Sequence, residues 1–341
     1  MSSELGGSDI ARIAAEANVS IATVSRVLNG RAGVAAETRD RVESAIRDRA
    51  YVRRTRATDS APLIELVLPH FQNAWAVELV RGVQRVARER RMSVVLTNTG
   101  DRHHPGSTWV ESVIQRDVGA IVMVFADLSA ADSARLRARN VPFAILSPRA
   151  AVPDDVPSVT SAAWSGAFAA TQHLITLRHE RIGLITGPPD LMTSHAREAG
   201  YRAALESAGL AIDPALIRSG RFVRADGELH GRELLRLPDR PTAIFAGSDN
   251  HALGVYTAAR EAGLRIPRDL SVVGFDDLEI ATLIGPPLTT IRQPLADMAE
   301  AATRMALQDD ASGARPHLEL PTRLVVRGST APPPSVSTSP S

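Results

Sequence analysis

Apolar residues in the first 52 positions recur with the spacing of short helices. The first predicted helix has one apolar face at positions i, i+3, i+4 and i+7, formed by Ile10, Ile13, Ala14 and Ala17. Asn18 can end that helix in the left-handed conformation, and Ser20 can cap a second helix that reaches a break at Asn29 and Gly30. The second helix and a third over 37–49 have inward faces formed by Val24, Val27, Leu28, Val42, Ala45 and Ile46. This segment therefore predicts three helices, the first two joined by a tight turn.

From residue 63 onward, short β-branched apolar runs alternate with amphipathic helical stretches. Seven runs predict strands, at 63–69, 93–98, 120–126, 142–147, 181–187, 242–248 and 270–275. Because these runs are almost continuously apolar, we expect strands buried on both faces, as in parallel sheets covered by helices. Seven such units favour two Rossmann-like α/β lobes with a cleft at the carboxyl ends of their strands. The Pro- and Ser-rich residues 331–341 predict a disordered tail.

Composition narrows the class of protein. The 341 residues exceed the usual size of one core and include no cysteine, which excludes disulfides, thiolate metal sites and cysteine nucleophiles. No apolar run reaches the roughly 18 residues that span a bilayer. The N-terminus, MSSELGGSD, lacks the pattern of a secretion signal. We therefore expect a cytoplasmic protein, and no motif calls for a metal or a cofactor.

Basic charge is concentrated at the N-terminal end. The net charge is only +1, but residues 1–58 hold ten arginines against seven acidic residues. The sequence contains no lysine, and arginine suits bidentate contacts to phosphate and guanine. A codon bias can explain the missing lysine. It does not explain the cluster formed by Arg47, Arg49, Arg53, Arg54 and Arg56.

Several motifs occur in the order typical of one protein family. DIARIAAEANVSIATVSRVLN at 9–29 is followed by TRDRVESAI, LRHERIGLITGPP, AREAGYRAAL, DLSVVGFDD, PPLTTIRQP and LPTRLVVRGSTAPP. With these motifs, the chain resembles the LacI/GalR family of transcriptional regulators along almost its whole length. The resemblance implies an N-terminal all-α helix-turn-helix domain and a periplasmic-binding-protein-like (type I) sensor of two Rossmann-like α/β lobes.

The resemblance makes the second helix the one that recognises DNA. Ile21 and Ala22 occupy the positions that vary with operator sequence, and apolar side chains of this size can meet a thymine methyl group. Arg26 occupies the position that reaches a guanine edge. The other DNA-binding residues that we predict, by contact or by capping and phosphate binding, are Ser20, Thr23, Ser25 and Asn29. For Ile21 or Ala22 alone, an ordinary exposed helix residue is the alternative interpretation.

The resemblance also predicts a sugar site in the cleft. Trp75 can stack on the C–H face of a sugar, and Arg197, Asp249 and Asp276 can hydrogen-bond its hydroxyls. Further candidates are Asn73, Ser147 and Trp164. Some relatives carry Asp where this chain has Ser147, so the particular sugar stays open, with a pentose or xylo-oligosaccharide favoured by the resemblance.

Each predicted ligand residue has a structural alternative. Trp75 can belong to the core, Arg197 can form a surface ion pair, and Asp249 or Asp277 can cap a helix. An enzyme that uses Asp249 and Asp276 as a glycosidase pair lacks any supporting motif elsewhere. A sugar-transport protein does not fit the DNA-binding motif.

The resemblance implies the domain boundaries. We expect a DNA-binding domain at 1–52, a hinge at 53–62 and a ligand-binding and dimerisation domain at 63–330. The near lobe takes about 63–160 plus 291–318, and the far lobe about 161–290 plus 319–330. The resulting homodimer reads near-palindromic double-stranded operator DNA, because the two-fold symmetry of the protein matches the two half-sites. A sugar effector closes the cleft and releases the repressor; a corepressor or a non-sugar effector is the alternative.

The hinge departs most from the family pattern. Relatives have Pro-Asn after the tyrosine and a leucine that wedges into the minor groove, whereas this chain has Arg53, Arg54 and Arg56 and then Ser60. Serine cannot unstack a base step, but the arginines can enter a narrow minor groove or hold phosphates. We expect weak bending of the operator and strong salt dependence; a linker without contacts is the alternative.

Overall fold

The chain divides into two compact units, residues 1–60 and 61–341. The computed structural model describes residues 13–15, 17–28, 34–35, 37–42, 62–71, 73–100, 107–126, 128–307 and 317–334. Residues 53–61 of the predicted hinge at 53–62 lie outside these residues, including Arg53, Arg54 and Arg56, and so does Asn29. The two units are described separately below.

The first unit contains helix α1 (Ile21–Leu28) and helical residues at 13–15 and 37–42. Asn18 has φ 51°, as predicted for the left-handed end of the first helix, and the Ser20 hydroxyl accepts a hydrogen bond from Thr23 N at 3.1 Å. Among the described residues, the apolar faces of the helical segments meet in one small core, formed by Ile13, Ala14, Ala17, Val24, Val27 and Val42. The helix, turn and second helix predicted from the spacing are confirmed.

The second unit begins with a lobe built on a six-stranded parallel sheet. Its strands are β1 (Leu63–Leu68), β2 (Ser93–Asn98), β3 (Ala120–Val124), β4 (Phe143–Leu146), β5 (Ser158–Ser161) and β11 (His317–Leu320). Its helices are α2 (Ala74–Glu89), α3 (Ser107–Arg116), α4 (Ala130–Ala138) and α10 (Leu295–Ala306). The strand order is β11-β5-β4-β3-β1-β2, and apolar cores lie on both faces of the sheet.

A second lobe has a sheet of the same size, with strand order β12-β10-β9-β8-β6-β7. Its strands are β6 (Ile182–Thr186), β7 (Ile217–Ser219), β8 (Ala243–Ala246), β9 (Ser271–Asp276), β10 (Thr289–Arg292) and the antiparallel β12 (Arg323–Val325). Its helices are α5 (Ala163–Thr176), α6 (Met192–Ser207), α7 (Arg224–Leu235), α8 (Asp249–Glu261) and α9 (Ile280–Leu283), with a 3-10 turn at Pro214–Leu216.

The chain passes between the lobes three times, after β5, after β10 and after β11. The positions of two passages differ slightly from the prediction. Residues 291–292 complete β10 of the second lobe, and residues 319–320 complete β11 of the first. The crossings therefore fall within 293–294 and 321–322, because β10 and β11 each run to the edge of their own sheet.

All seven predicted strands are present, but one is not buried on both faces. β2 is an edge strand, and Ser93, Leu96 and Asn98 are exposed, with Leu96 at 44%. The sequence pattern did not predict β5, β7, β10, β11 or β12. These strands have three or four residues each, and β5 (SVTS) and β10 (TTIR) are rich in hydroxyl side chains that tertiary hydrogen bonds satisfy.

Disorder was predicted from residue 331 onward, but Ala331 is ordered against the second lobe. Ala331 N donates to the Ser271 hydroxyl at 3.0 Å, and that hydroxyl donates to Ala331 O at 2.9 Å. The buried His179 ring also contacts Ala331 O at 2.9 Å. The chain is therefore held against the second lobe through Ala331, and 335–341 lie outside the described residues. Among the described residues, no helix combines the length and apolar character that a membrane span requires.

Candidate functional site

The outward face of α1 presents the residues predicted to contact DNA. Ser20, Ile21, Ala22 and Arg26 are exposed, with Ile21 at 54%, while Thr23 and Ser25 are half-buried. Val24 and Val27 are buried on the opposite side. The exposed face thus combines apolar groups that can meet thymine methyls with a guanidinium that can reach a guanine. The Ser20 and Thr23 hydroxyls lie 2.9 Å apart, so both take part in capping the helix.

A buried arginine lies at the carboxyl edge of the second sheet. Arg197, on the second turn of α6, has only 5% of its side chain exposed. Its guanidinium carbon lies 3.9 Å from the ring centroid of Phe275 and 5.1 Å from that of Phe222. One terminal nitrogen donates to Gly247 O. Two aromatic faces and one carbonyl replace only part of the lost hydration, so burial lowers the pKa of Arg197.

Asp276 supplies the nearest opposite charge. Its Oδ1 lies 3.8 Å from Nη2 of Arg197, which is beyond direct hydrogen-bonding distance, and accepts from Gln293 Nε2 at 2.6 Å. Burial raises the pKa of this carboxyl to about 6, and the opposing charge of Arg197 offsets only part of that effect. A ligand hydroxyl beside this pair can accept from the guanidinium and donate to the carboxylate.

Four of the nine non-glycine residues described with a positive φ lie where strands end at the carboxyl edge of a sheet. Phe125 and Ser147 follow β3 and β4 directly, with φ of 50° and 51°, and Asp276 and Asp277 have φ of 122° and 60°. Left-handed conformations are uncommon for side chains other than glycine, and such positions often mark ligand sites. Asp277 is held by Arg292 Nε at 2.5 Å and Arg327 Nη2 at 2.6 Å. These two ion pairs fix the turn that presents Asp276.

Three buried polar atoms among the described residues lack a hydrogen-bond partner: Ser194 Oγ, Arg197 Nε and His251 Nδ1. Each such atom costs roughly 1–3 kcal/mol when left unsatisfied. Ser194 and Arg197 are on α6, and His251 is on the first turn of α8, where its Nε2 donates to Arg221 O. Burial lowers the pKa of His251 to about 4, so its unpartnered nitrogen is an acceptor at neutral pH.

Trp75 packs against the apolar core of the first lobe and stacks on Phe125. Its ring is parallel to Phe125 within 4°, with centroids 5.2 Å apart. Asn73 begins α2, and its Oδ1 accepts from Ala76 N at 3.0 Å. Asn73 therefore fixes the start of the helix that carries Trp75.

A pocket of about 450 Å³ lies between the lobes beside Asp276. α2 contributes Glu78 and Arg81, the turn after β9 contributes Asp276 and Asp277, and the crossing after β10 contributes Gln293, among others. The volume is within the range of roughly 300–1,000 Å³ that is typical of small-molecule sites, but of the seven predicted ligand residues only Asp276 lines this pocket.

Two family descriptions match the chain. Residues 9–54 match "Bacterial regulatory proteins, lacI family", and residues 171–330 match "Periplasmic binding protein-like domain". The HTH-type transcriptional repressor CytR of Escherichia coli (strain K12) is 31% identical over 328 residues, which are 93% of this chain and 95% of CytR. The chain belongs to the lacI family of bacterial regulatory proteins. It is thus a DNA-binding transcriptional regulator and not an enzyme.

Solved structures of the family have the same architecture. A complex of the transcriptional regulator CelR with cellobiose is 31% identical, with a TM-score of 0.70, and the match covers 94% of this chain and 99% of CelR. The lac repressor dimer bound to operator and the anti-inducer ONPF is 29% identical, with a TM-score of 0.69, and the match covers 94% of this chain and 98% of the repressor chain.

One predicted ligand residue of this lacI-family regulator is already engaged by the protein. Asp249 is fully buried, and its carboxylate accepts from Thr290 Oγ1 at 2.6 Å and from Leu278 N at 2.7 Å. A Cβ at Gly274 would lie 2.3 Å from its Oδ1, so the glycine leaves room for the carboxylate. Asp249 therefore braces the turn after β9 instead of facing a ligand, and the prediction that it contacts the sugar does not fit this geometry.

Trp164 and Ser147 differ in their surroundings. Trp164 is 45% exposed, and its ring stacks on Phe168 of the same helix at 5.3 Å. α5 thus holds this ring, and the Trp164 carbonyl lies against Gly200, which is on the same helix as Arg197. Ser147 is half-buried at the end of β4, where its N–H donates to Val159 O at 2.8 Å. The role of both residues in ligand binding stays a prediction.

Three residues beside Arg197 and Asp276 were not among the predicted site residues: Phe222 contacts Arg197, Gln293 contacts Asp276, and His251 lies beside Phe222. Phe222 lies in an aperiodic loop, with its ring against Gly187, where a Cβ would come within 2.0 Å of it. No local pattern marks such a residue. Gln293 follows β10 as Asp277 follows β9, so recognising β10 as a strand would have placed it at the cleft edge.

We predict that Asp276→Asn raises thermal stability at pH 8. The raised pKa means that ionising Asp276 costs the folded state stability as pH rises from about 4 through about 6. The amide never ionises, so its advantage over wild type should shrink as pH is lowered from 8 to 5, measured by calorimetry. Asp277→Asn, which removes the ion pairs with Arg292 and Arg327, should instead destabilise the protein at pH 8. A difference in thermal stability between Asp276→Asn and wild type that is the same at pH 8 and pH 5 would contradict this explanation.

Proposed function

We propose that this regulator represses carbohydrate-utilisation genes in the cytoplasm and leaves its operator when a sugar binds between the lobes. The observation that supports this proposal most is the buried, incompletely partnered cluster around Arg197 and Asp276. A protein does not bury an arginine with an unsatisfied Nε without a compensating partner, and a bound polar ligand is such a partner.

The cluster favours a neutral sugar over an anion. One guanidinium faces one carboxylate at 3.8 Å, so an anionic ligand would meet repulsion from Asp276 as well as attraction from Arg197. A hydroxyl satisfies both groups, and Trp75 offers an aromatic face for the ring. CelR has been solved with cellobiose. For this chain, a mono- or oligosaccharide is proposed, with pentoses and xylo-oligosaccharides as the first to test.

A chain of hydrogen bonds joins this cluster to two of the three crossings between lobes. Ser161 Oγ, at the end of β5, donates to Gln293 Oε1 at 2.5 Å, and Gln293 Nε2 donates to Asp276. Gln293 itself lies on the crossing after β10. A ligand that draws Asp276 or Arg197 toward itself therefore acts on residues that set the angle between the lobes. We propose that lobe closure by this route alters the hinge and lowers operator affinity.

We further propose a homodimer that binds a near-palindromic operator. Each lobe exposes apolar side chains that a second copy can cover, including Val77 at 47%, Leu96 at 44% and Leu283 at 71%. The lac repressor structure is a dimer on operator. Arg53, Arg54 and Arg56 of each hinge are proposed to bind phosphates or a narrow minor groove.

The second candidate function is corepression, in which the bound ligand raises operator affinity instead of lowering it. Burial raises the pKa of Asp276 to about 6, and protonation would remove its charge and add a hydrogen-bond donor, whichever sign applies. Measuring operator affinity with and without ligand distinguishes the two signs directly.

Arg26→Ala should weaken operator binding by about 1–3 kcal/mol per half-site, because it removes a bidentate contact to guanine. Preference at one G·C pair of each half-site should be lost in a binding assay across operator variants. Arg39→Ala, a change on the third helical segment, serves as the comparison. Unchanged affinity and base preference in Arg26→Ala would show that α1 does not recognise the operator.

A thermal-shift screen with D-xylose, xylobiose, D-ribose and cellobiose tests the effector proposal. At least one sugar should raise the melting temperature of wild type and release operator DNA. Arg197→Ala should lose that shift, since it leaves ligand hydroxyls unpaired at a cost of about 1–3 kcal/mol, while it still binds operator. Arg202→Ala, which removes an ion pair on the same helix, should respond as wild type does. A shift that survives in Arg197→Ala would place the sugar elsewhere.

A further inference from the structure

The two lobes touch directly across the cleft, away from the three crossings. Arg149 lies in the first lobe, in the loop between β4 and β5. Its guanidinium forms an ion pair with Asp190, which lies in the second lobe between β6 and α6. Arg149 O also accepts from Met192 N, the first residue of α6, at 3.0 Å. A side chain and a backbone group of one residue thus bind the opposite lobe.

Both partners lie in loops that are fixed to their own lobes. Val156 is buried and Val152 packs against the first-lobe core, which anchors the loop of Arg149. Leu191 is 5% exposed and its N–H donates to Pro188 O, which anchors the loop of Asp190. The Arg149 side chain is 10% exposed and that of Asp190 is 48% exposed. Arg149 is therefore enclosed, although it belongs to a loop.

The position of this contact makes it specific to closed lobes. It joins loops that follow β4 and β6, whereas the 450 Å³ pocket is lined by α2, the turn after β9 and the crossing after β10. No residue of the contact lines that pocket. If the lobes separate, the loops move apart and both bonds break. The free energy of the contact consequently belongs to the closed state alone.

We propose that Arg149 and Asp190 form a strap that sets the equilibrium between closed and open lobes. The strap biases the lobes toward the closed form without sugar. Its second consequence, slower loss of a bound sugar, rests on the proposed function. Because Asp190 is half exposed, the ion pair stabilises the closed lobes only modestly. Ligand contacts at Arg197 and Asp276 can therefore still determine whether the lobes are closed or open. Arg149 thereby acts as a positioning residue for the site.

Spin-label distances across the cleft test the strap without any ligand. The chain has no cysteine, so Ala138→Cys on α4 and Ala199→Cys on α6 give two unique, exposed labelling sites, one on each lobe. Double electron–electron resonance then reports the populations of short and long distances. Arg149→Ala should raise the ratio of long to short distances about two- to fivefold, and Asp190→Asn should shift it in the same direction.

The charge-swapped variant Arg149→Asp/Asp190→Arg should restore the wild-type distribution, since it keeps the pair and reverses its polarity. Arg232→Ala, which removes ion pairs to Glu228 and Glu261 within the second lobe, should leave the distances unchanged. An unchanged distribution in Arg149→Ala, or a swap that stays as open as Arg149→Ala, would overturn the strap. If the strap holds but no sugar in the screen binds wild type, the proposed function fails while this inference stands.

Discussion

The burial of Arg197 constrains the rest of the sensor. A guanidinium in the interior needs partners, yet this one has two aromatic faces, one carbonyl and a carboxylate at 3.8 Å. The second lobe supplies that carboxylate from a strained turn, which Asp277 holds through Arg292 and Arg327. Buried ion pairs contribute little net stability, so the arrangement is better explained by recognition than by folding. Arg197 Nε has no hydrogen-bond partner within the protein, and a ligand can supply one.

The same residues connect recognition to lobe movement. Gln293 touches Asp276 and Ser161, and it lies on the crossing after β10. On the other side of the cleft, Arg149 reaches the second lobe. Hydrogen bonds and an ion pair thus join the lobes, and each of them can break and form again when the lobes move. We propose that ligand binding at Asp276 is coupled to lobe movement through Gln293, and that the contact between Arg149 and Asp190 acts outside the pocket.

How far the sequence predicts this molecule depends on whether a feature is local. Continuous apolar runs predicted seven strands, because burial on both faces favours an apolar side chain at nearly every position. β5 and β10 have no such apolar run, because their hydroxyl side chains hydrogen-bond to distant groups such as Gln293 and Asp249. Arg197 and Asp276 were found through family motifs. The position of Phe222 depends on the space beside Gly187, and the two partners of Asp249 lie 29 and 41 residues away, so no local pattern marks the surroundings of either residue.

We propose that the cluster around Arg197 and Asp276 and the operator-binding helix are thermodynamically linked. Calorimetric titration of the sugar identified by screening, into wild type alone and into wild type bound to an operator duplex, measures this linkage. Operator should raise the dissociation constant of the sugar by the same factor by which the sugar raises that of the operator. A dissociation constant for the sugar that is identical with and without operator would contradict it.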